Sequence, residues 1–411
     1  MSKWKDKTYL YLSSAHSVCY DKLGWYIDDA QQDPHGSTNF EASAKKAANS
    51  FIVQDIKKYS SAFKHLAVLS GAGTSMDNGN MPGKKRTELW DSCKDEITCI
   101  QKVISSKGKT MKKNIDNIVE NQNIEDFLSY ALLYEKLNGP ILSKDGKHEL
   151  TKEIESKIAV ACRLELAVDN RCHREFVKKV TARKPGEPRT QIYTLNYDTL
   201  FEQAAQDLNY IVLDGFSFTM PRRFNGSNFD YDIVYREHSR VKSEESYVPN
   251  VFQFFKMHGS INWEMESDGK IIQKNNTDNP CIIYPASQKY EISYEQPFFE
   301  MMAHFQRTLR SEGTLLIVVG FGFQDKHVQN AIKEAVDQNL NFHLIIVCYS
   351  TKDSIDPTGR KEKVARGITP HLCDGYIDDD FKVPSNVTIF FATFKDFVEV
   401  YPENKAYDDN I

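Results

Sequence analysis

Glycine pairs, one asparagine and one histidine in this chain each stand just past a β-rich run, where they could do chemistry. The run Leu66-Ala67-Val68-Leu69-Ser70 ends in Gly71-Ala72-Gly73, followed by the hydroxyls of Thr74 and Ser75. Two glycines one residue apart let the chain turn sharply and let a ligand approach the main chain without meeting a Cβ. A helix beginning there would aim free N–H groups at an anion, which makes the stretch a diphosphate cradle in outline. A plain tight turn after a strand has the same composition, so this stretch alone leaves both readings open. Further on, Thr194 leads into Leu195-Asn196-Tyr197-Asp198. That polar set lies between a strand and a helix, where open α/β sheets bind ligands. Capping of the following helix accounts for Asp198 but leaves Asn196 unexplained. The run 251–257 ends in His258-Gly259-Ser260. A single histidine is more often a core residue, yet this one repeats the placement of Asn196, and an imidazole is a side chain that can serve as a base. The most apolar run, 314–319, ends in a second glycine pair, Gly320-Phe321-Gly322-Phe323, and leads to Asp325.

The elements that position these residues follow from periodicity. Residues 1–40 carry aromatics without a sustained period, and 41–63 form a helix with Phe51, Ile52, Ile56, Tyr59 and Phe63 on one stripe. Gly79, Pro82, Gly83 and Lys84-Lys85-Arg86 make a basic loop, equally a ligand cover or a solvated turn. Helices at 123–133 and 151–179 suggest a helical insertion over about 85–180. Strands are expected at 66–70, 191–194, 251–257, 281–285, 314–319, 342–348 and 387–392, with a hairpin turning at Asp268-Gly269. Helices are expected at 199–208, 295–310, from about Asp325, and at 394–401, while 214–250 reads as an irregular insertion. Seven strands alternating mostly with helices predict an α/β fold with a doubly wound, largely parallel sheet. Residues 1–64 form an N-terminal extension, partly helical, and 65–411 one domain.

With 411 residues, 40% hydrophobic and 27% charged, the composition is that of an ordinary globular chain. A net charge of −5 gives no reason to expect nucleic acid as a direct ligand. No apolar run approaches the roughly 20 residues that span a bilayer, and Met1-Ser2-Lys3-Trp4-Lys5-Asp6-Lys7 lacks the features of a secretory signal. The expected location is the cytoplasm. The eight cysteines (Cys19, Cys93, Cys99, Cys162, Cys172, Cys281, Cys348 and Cys373) include no Cys-x-x-Cys pair. They predict reduced thiols and no structural zinc.

Taken together and in order, Gly71–Ser75, Thr194–Asp198, His258–Ser260 and Gly320–Phe323 with Asp325 resemble the signature blocks of the sirtuin family. The resemblance is closest to the bacterial sirtuin-like branch that defends against phage by destroying NAD. Asn123–Leu128, Ile283-Tyr284-Pro285 and Lys289-Tyr290 also look like that branch. It implies a Rossmann-like sheet with a helical module and NAD as substrate. The implied NAD-binding residues are Gly71, Ala72, Gly73, Thr74, Ser75, Tyr197, Asp198, Gly320, Gly322, Phe323 and Asp325. Within that set, Ala72, Gly73 and Thr74 would meet the diphosphate and ribose, and Gly320, Gly322 and Phe323 the adenosine half. Asn196 would stand by the nicotinamide ribose and order a water, Asp198 would fix that loop, and His258 would act as general base. Cleaving the nicotinamide–ribose bond needs little more, because nicotinamide is a good leaving group and the protein mainly orients the reactants.

Three departures separate the chain from the deacylating members of that family. It lacks the paired cysteines of their zinc module. Gly79-Asn80-Met81-Pro82-Gly83-Lys84 stands where they carry Gly-Ile-Pro-Asp-Phe-Arg, and 214–250 lies between Asn196 and His258 as an insertion. All three favour hydrolysis of NAD over removal of an acyl group from lysine. An NAD or ADP-ribose sensor without turnover is the alternative, discriminated by loss of Asn196 or His258, both present. A dehydrogenase is disfavoured because Met76 stands where Gly-x-Gly-x-x-Gly requires glycine. The resemblance also implies a homo-oligomer and a HerA-type hexameric ATPase as partner; residues 1–60, which lie outside the signature blocks, are the candidate assembly surface.

Overall fold

A computed structural model describes residues 7–32, 39–184, 186–235, 247–275, 277, 279–282, 297–323, 325–348 and 383–403. Ile283-Tyr284-Pro285, Lys289-Tyr290 and Cys373 lie outside the described residues, as does the start expected for the helix at 295. In chain order the elements begin with strands β1 Thr8–Ser13, β2 Ser17–Tyr20, β3 Trp25–Ile27 and β4 Ala30–Gln32, then helix α1 Phe40–Ala62 and strand β5 His65–Ser70. Helices α2 Arg86–Ser92, α3 Lys94–Ser105, α4 Lys109–Glu120, α5 Ile124–Asn138, α6 Leu150–Ala161 and α7 Cys172–Thr181 follow. Next come β6 Gln191–Thr194, α8 Leu200–Asp207, β7 Ile211–Leu213, β8 Val251–Lys256, β9 Trp263–Met265 and β10 Ile271–Gln273. The chain closes with α9 Phe298–Arg310, β11 Thr314–Val319, α10 Lys326–Gln338, β12 Phe342–Cys348, β13 Val387–Phe391 and α11 Phe394–Val400.

Among the described residues one large sheet runs in the order β4-β3-β2-β1-β13-β12-β11-β5-β6-β8-β7. From β13 to β7 every neighbouring pair is parallel, and β1 to β4 add an antiparallel meander at one edge. The parallel strands are apolar without alternation because helices cover both faces. Leu66, Val68, Leu315 and Ile317 pack on one face with Ile52 of α1, Phe176 of α7, Phe201 of α8 and Phe397 of α11. Ala67, Leu69, Leu316 and Val318 pack on the other with Met301 and Phe305 of α9 and Ile332 of α10. From β5 the chain moves to β6 on one side and returns later to β11 on the other. The order therefore reverses between β5 and β11, and a doubly wound sheet opens its crevice at such a switch point.

The helical insertion has its own core, with Trp90, Ile97, Ile100, Phe127, Leu128 and Ile154 buried together. The helix expected over 151–179 is two helices, broken after Ala161, and α7 packs on the sheet rather than in the insertion. Buried Asn78 accounts for the break. It donates to the carbonyls of Glu165 and Met81 (2.8 Å each) and accepts from Ala167 N (3.1 Å) and Asn170 Nδ2 (2.7 Å). These partners hold the 163–171 connection in a non-helical path. The strand expected at 281–285 is represented among the described residues by an isolated bridge between Ile282 and Gly259. The hairpin at Asp268-Gly269 forms from β9 and β10, with Gly269 at φ +82°.

Two buried histidines make stability depend on pH. His343 stacks on Tyr59 with ring centres 3.6 Å apart and bonds Thr388 Oγ1 through Nε2 at 3.0 Å. Burial, with Lys58 nearby, pushes it down to about 3. Burial and Arg174 push His173 down to about 3 as well. Both rings take up a proton in the unfolded chain near pH 6.5 and refuse it when folded, so stability is complete above that pH and falls below it. Each contributes a slope that grows as pH falls through 6.5 and approaches about 1.4 kcal/mol per pH unit near pH 5. Denaturant titrations across that range should show the loss, and His343→Gln should make the slope shallower.

Candidate functional site

Strand register brings Asn196 and His258 together. Ser70 of β5 pairs with Thr194 of β6, and Thr194 pairs with Lys256 of β8. Asn196 and His258 each lie two residues beyond that Thr194–Lys256 pair, at the carboxyl ends of adjacent parallel strands. The first glycine loop follows β5 beside them and continues as a 3-10 helix over Ala72–Asp77.

Asn196 is buried and its side-chain amide is bound into that loop. Nδ2 donates to Gly71 O (3.1 Å), Thr74 Oγ1 (3.1 Å) and Ser75 Oγ (2.9 Å). Thr74 Oγ1 itself donates to Gly71 O at 2.9 Å, and Ser75 Oγ donates to Asp198 Oδ2 at 2.6 Å. The hydroxyls of Ser70, Thr74 and Thr194 link at 3.1 and 3.2 Å, and Thr194 Oγ1 accepts from Asn196 N at 3.1 Å. Asp198 also accepts from Leu200 N at 3.1 Å, so it meets the first N–H of α8, whose N-cap is Thr199, and braces the glycine loop at once. With both amide protons of Asn196 committed, Oδ1 is the atom it can offer to a water or hydroxyl.

Close approach of two loops dictates three of the glycines. A Cβ on Gly73 would stand 2.6 Å from Gly320 Cα, and one on Gly71 2.7 Å from Gly320 O. Gly73 N donates to Gly320 O at 2.9 Å, and Gly320 has φ +66°. The two glycine loops thus lock together across the switch point, while Ala72 and Gly322 are exposed above it. A Cβ on Gly322 would meet nothing within 4 Å, so the main chain there is open to a ligand. Gly320→Ala should therefore fold poorly, losing about 1–2 kcal/mol to the left-handed backbone alone and more to the clash with Thr74 N at 2.7 Å. Gly322→Ala should leave the thermal midpoint nearly unchanged, and thermal denaturation of both variants checks the contrast.

His258 Nε2 lies 2.9 Å from Asp325 Oδ2, and both side chains are buried. Asp325 Oδ1 accepts from His327 N at 2.9 Å as the N-cap of α10, which fixes the carboxylate. A carboxylate only accepts, so Nε2 carries the proton and Nδ1 is the basic nitrogen of the neutral ring. Tyr197 is half-buried, its ring centre 6.4 Å from that of His258, and its carbonyl accepts from Ile261 N at 3.1 Å. Phe323 points into the core at φ +55°, its ring 4.9 Å from Phe321, so its side chain packs the loop rather than lining an open surface.

Gly71, Thr74, Ser75, Asn196 and Asp198 thus form one network, and His258 with Asp325 forms a second beside it. Two contributors stand out only in three dimensions. Asn78 ties the loop after the 3-10 turn to residues 165–170, and Gly83 N donates to Ser75 O at 2.9 Å, so this loop is anchored at its base. Lys256, buried, reaches the carbonyls of Tyr197 and Asp198. A lone cation in the run Val-Phe-Gln-Phe-Phe-Lys-Met was its sequence signal; Asn78 left none. Among the described residues no three His, Cys, Asp or Glu side chains gather to hold a metal, and no helix is long and apolar enough to cross a membrane.

Residues 190–370 match a family model described as SIR2-like domain. The span includes Asn196, His258, Gly320 and Asp325 and leaves the first glycine loop outside. A search of curated proteins finds no match. A solved structure described as "Structural Basis for the Mechanism and Regulation of Sir2 Enzymes" is 11% identical, with a TM-score of 0.33, over 79% of this chain and 97% of that one. That likeness is too loose to inform the site.

Proposed function

We propose that this chain is an NAD hydrolase, cleaving the nicotinamide–ribose bond of NAD to give nicotinamide and ADP-ribose. The observation that carries this reading is the register that seats Asn196 beside His258 at the carboxyl edge of the sheet, next to two glycine loops at its switch point. The SIR2-like match over residues 190–370 supports NAD as the substrate class. The open main chain around Ala72 and Gly322 suits the diphosphate and its neighbouring sugars. Asn196 Oδ1 orients the attacking water, and His258 accepts the proton released as the water oxygen bonds the anomeric carbon. Nicotinamide leaves with the electron pair of the broken bond, and Asp325 keeps the imidazole aimed.

The likeness of the four sequence blocks to the phage-defence branch leads us to propose NAD depletion in abortive infection as the role, with the cytoplasm as the location. We further propose a homo-oligomer regulated by a HerA-type hexameric ATPase, with residues 1–60 offering an assembly surface. The test is NAD consumption by the purified chain, alone and with such an ATPase, with products separated chromatographically. Nicotinamide and ADP-ribose in equal amounts are expected. NAD bound without turnover in every assembly would replace the hydrolase with a sensor.

A further inference from the structure

Lys256 is the lone cation of its strand and is 2% exposed. Its ammonium lies 3.5 Å from Tyr197 O, donates to Asp198 O, and pairs with Glu202 Oε1 on α8 at 2.9 Å. Three protons meet three acceptors, which is what keeps a buried ammonium tolerable. An apolar side chain of the same length would fill the space without giving up hydration, so core packing does not explain a lysine here. What a lysine adds is a set of directed bonds to the loop that carries Asn196.

Asn196 and Asp198 hold that loop from one side by bonding the first glycine loop. Lys256 holds the main chain of the same loop from the other side, and sits two residues before His258 on β8. Its side chain points to the same face as Phe254, the face covered by α8, with Nζ 5.8 Å from the Phe254 ring centre. Glu202, pushed up by burial and held back by the Lys256 ammonium, anchors the lysine to α8. The lysine thereby ties the loop of Asn196 to the strand of His258. We propose that Lys256 is a positioning residue that fixes the spacing between Asn196 and His258, setting turnover rather than affinity for NAD. This rests on the hydrolase reading above.

The experiment compares wild type, Lys256→Met and Lys256→Arg in steady-state hydrolysis of NAD, binding of ADP-ribose, and amide hydrogen exchange. Displacing a reacting group by about an ångström is enough for a loss of about a hundredfold. Lys256→Met is therefore expected to lower kcat by about that factor while KM and the Kd for ADP-ribose stay within about threefold. Lys256→Arg, which keeps the charge with a different reach, should fall between the two. Exchange should quicken over residues 195–200 in Lys256→Met and stay unchanged in β11 and β12. The proposal is overturned if kcat and KM worsen together, if neither moves, or if exchange over 195–200 is unaltered. If Lys256→Met does not fold, the same criteria apply to Lys256→Arg. Wild type that binds but never hydrolyses NAD would sink the hydrolase reading, and the exchange comparison would still decide whether Lys256 positions the loop.

Discussion

Asn196→Asp is expected to lower NAD hydrolysis by about a hundredfold or more and to destabilise the fold more than Asn196→Ala, although it differs from wild type by one atom type. The reason is the direction of the hydrogen bonds around Nδ2. Its three acceptors are a carbonyl, Gly71 O, and two hydroxyl oxygens whose own protons are already committed, Thr74 to Gly71 O and Ser75 to Asp198. A carboxylate oxygen in place of that nitrogen faces lone pairs on every side. It also shares Ser75 with Asp198, placing two carboxylates around one hydroxyl. Alanine only deletes the amide, for about 1–3 kcal/mol of unmet polar groups. The buried, uncompensated charge costs about 3–5 kcal/mol. Denaturant midpoints at pH 7 should therefore rank wild type above Ala and Ala above Asp, and the Ala–Asp gap should close at acid pH as the new carboxyl takes a proton. An Asp variant as stable as Ala would mean that the hydroxyls turn to donate and that the network is not a fixed frame. Hydrolysis should fall by about a hundredfold or more in both variants, because neither offers Oδ1 in the same setting.

Most of the frame that holds Asn196 is legible in the amino-acid sequence. β5, β11 and β12 are buried on both faces, so they announce themselves as short apolar runs, the first two closed by Gly71 and Gly320. The polar residues just past those runs follow from the same logic, since a parallel sheet collects them at one edge. The first strands were not legible. β1 pairs with β13 from the far end of the chain, and β3 and β4 have three residues each, too short to show a period. β7 is equally short and takes its place from β8 beside it. Local composition also gave no sign that 151–179 breaks at Ala161, because the cause is Asn78, far away in sequence. The glycines were legible as a turn, yet their strongest constraint is each other: Gly73 and Gly320 lie in contact across the switch point, and no spacing within either motif records that.

His258→Gln is expected to lower NAD turnover by about 10²–10⁴-fold with little change in ADP-ribose affinity, the range spanned by loss of a general base. Glutamine keeps a polar head of similar reach that can donate to Asp325, so the packing at the end of β8 is largely preserved while the basic nitrogen is gone. Asp325→Asn tests the other half of the pair. Asparagine can still cap α10, because its oxygen can accept from His327 N, but its amide then turns a donor towards His258 Nε2. That reverses the preferred tautomer: Nε2 becomes the acceptor and the proton moves to Nδ1, the nitrogen needed as base. Turnover should therefore drop in Asp325→Asn nearly as far as in His258→Gln, and the double variant should be little worse than either single one, because the two residues act as a unit. Multiplicative losses in the double variant would instead separate their roles, leaving Asp325 as a cap of α10 and His258 as a base held by something else. Steady-state rates for the four proteins, with ADP-ribose binding measured alongside, distinguish the two outcomes.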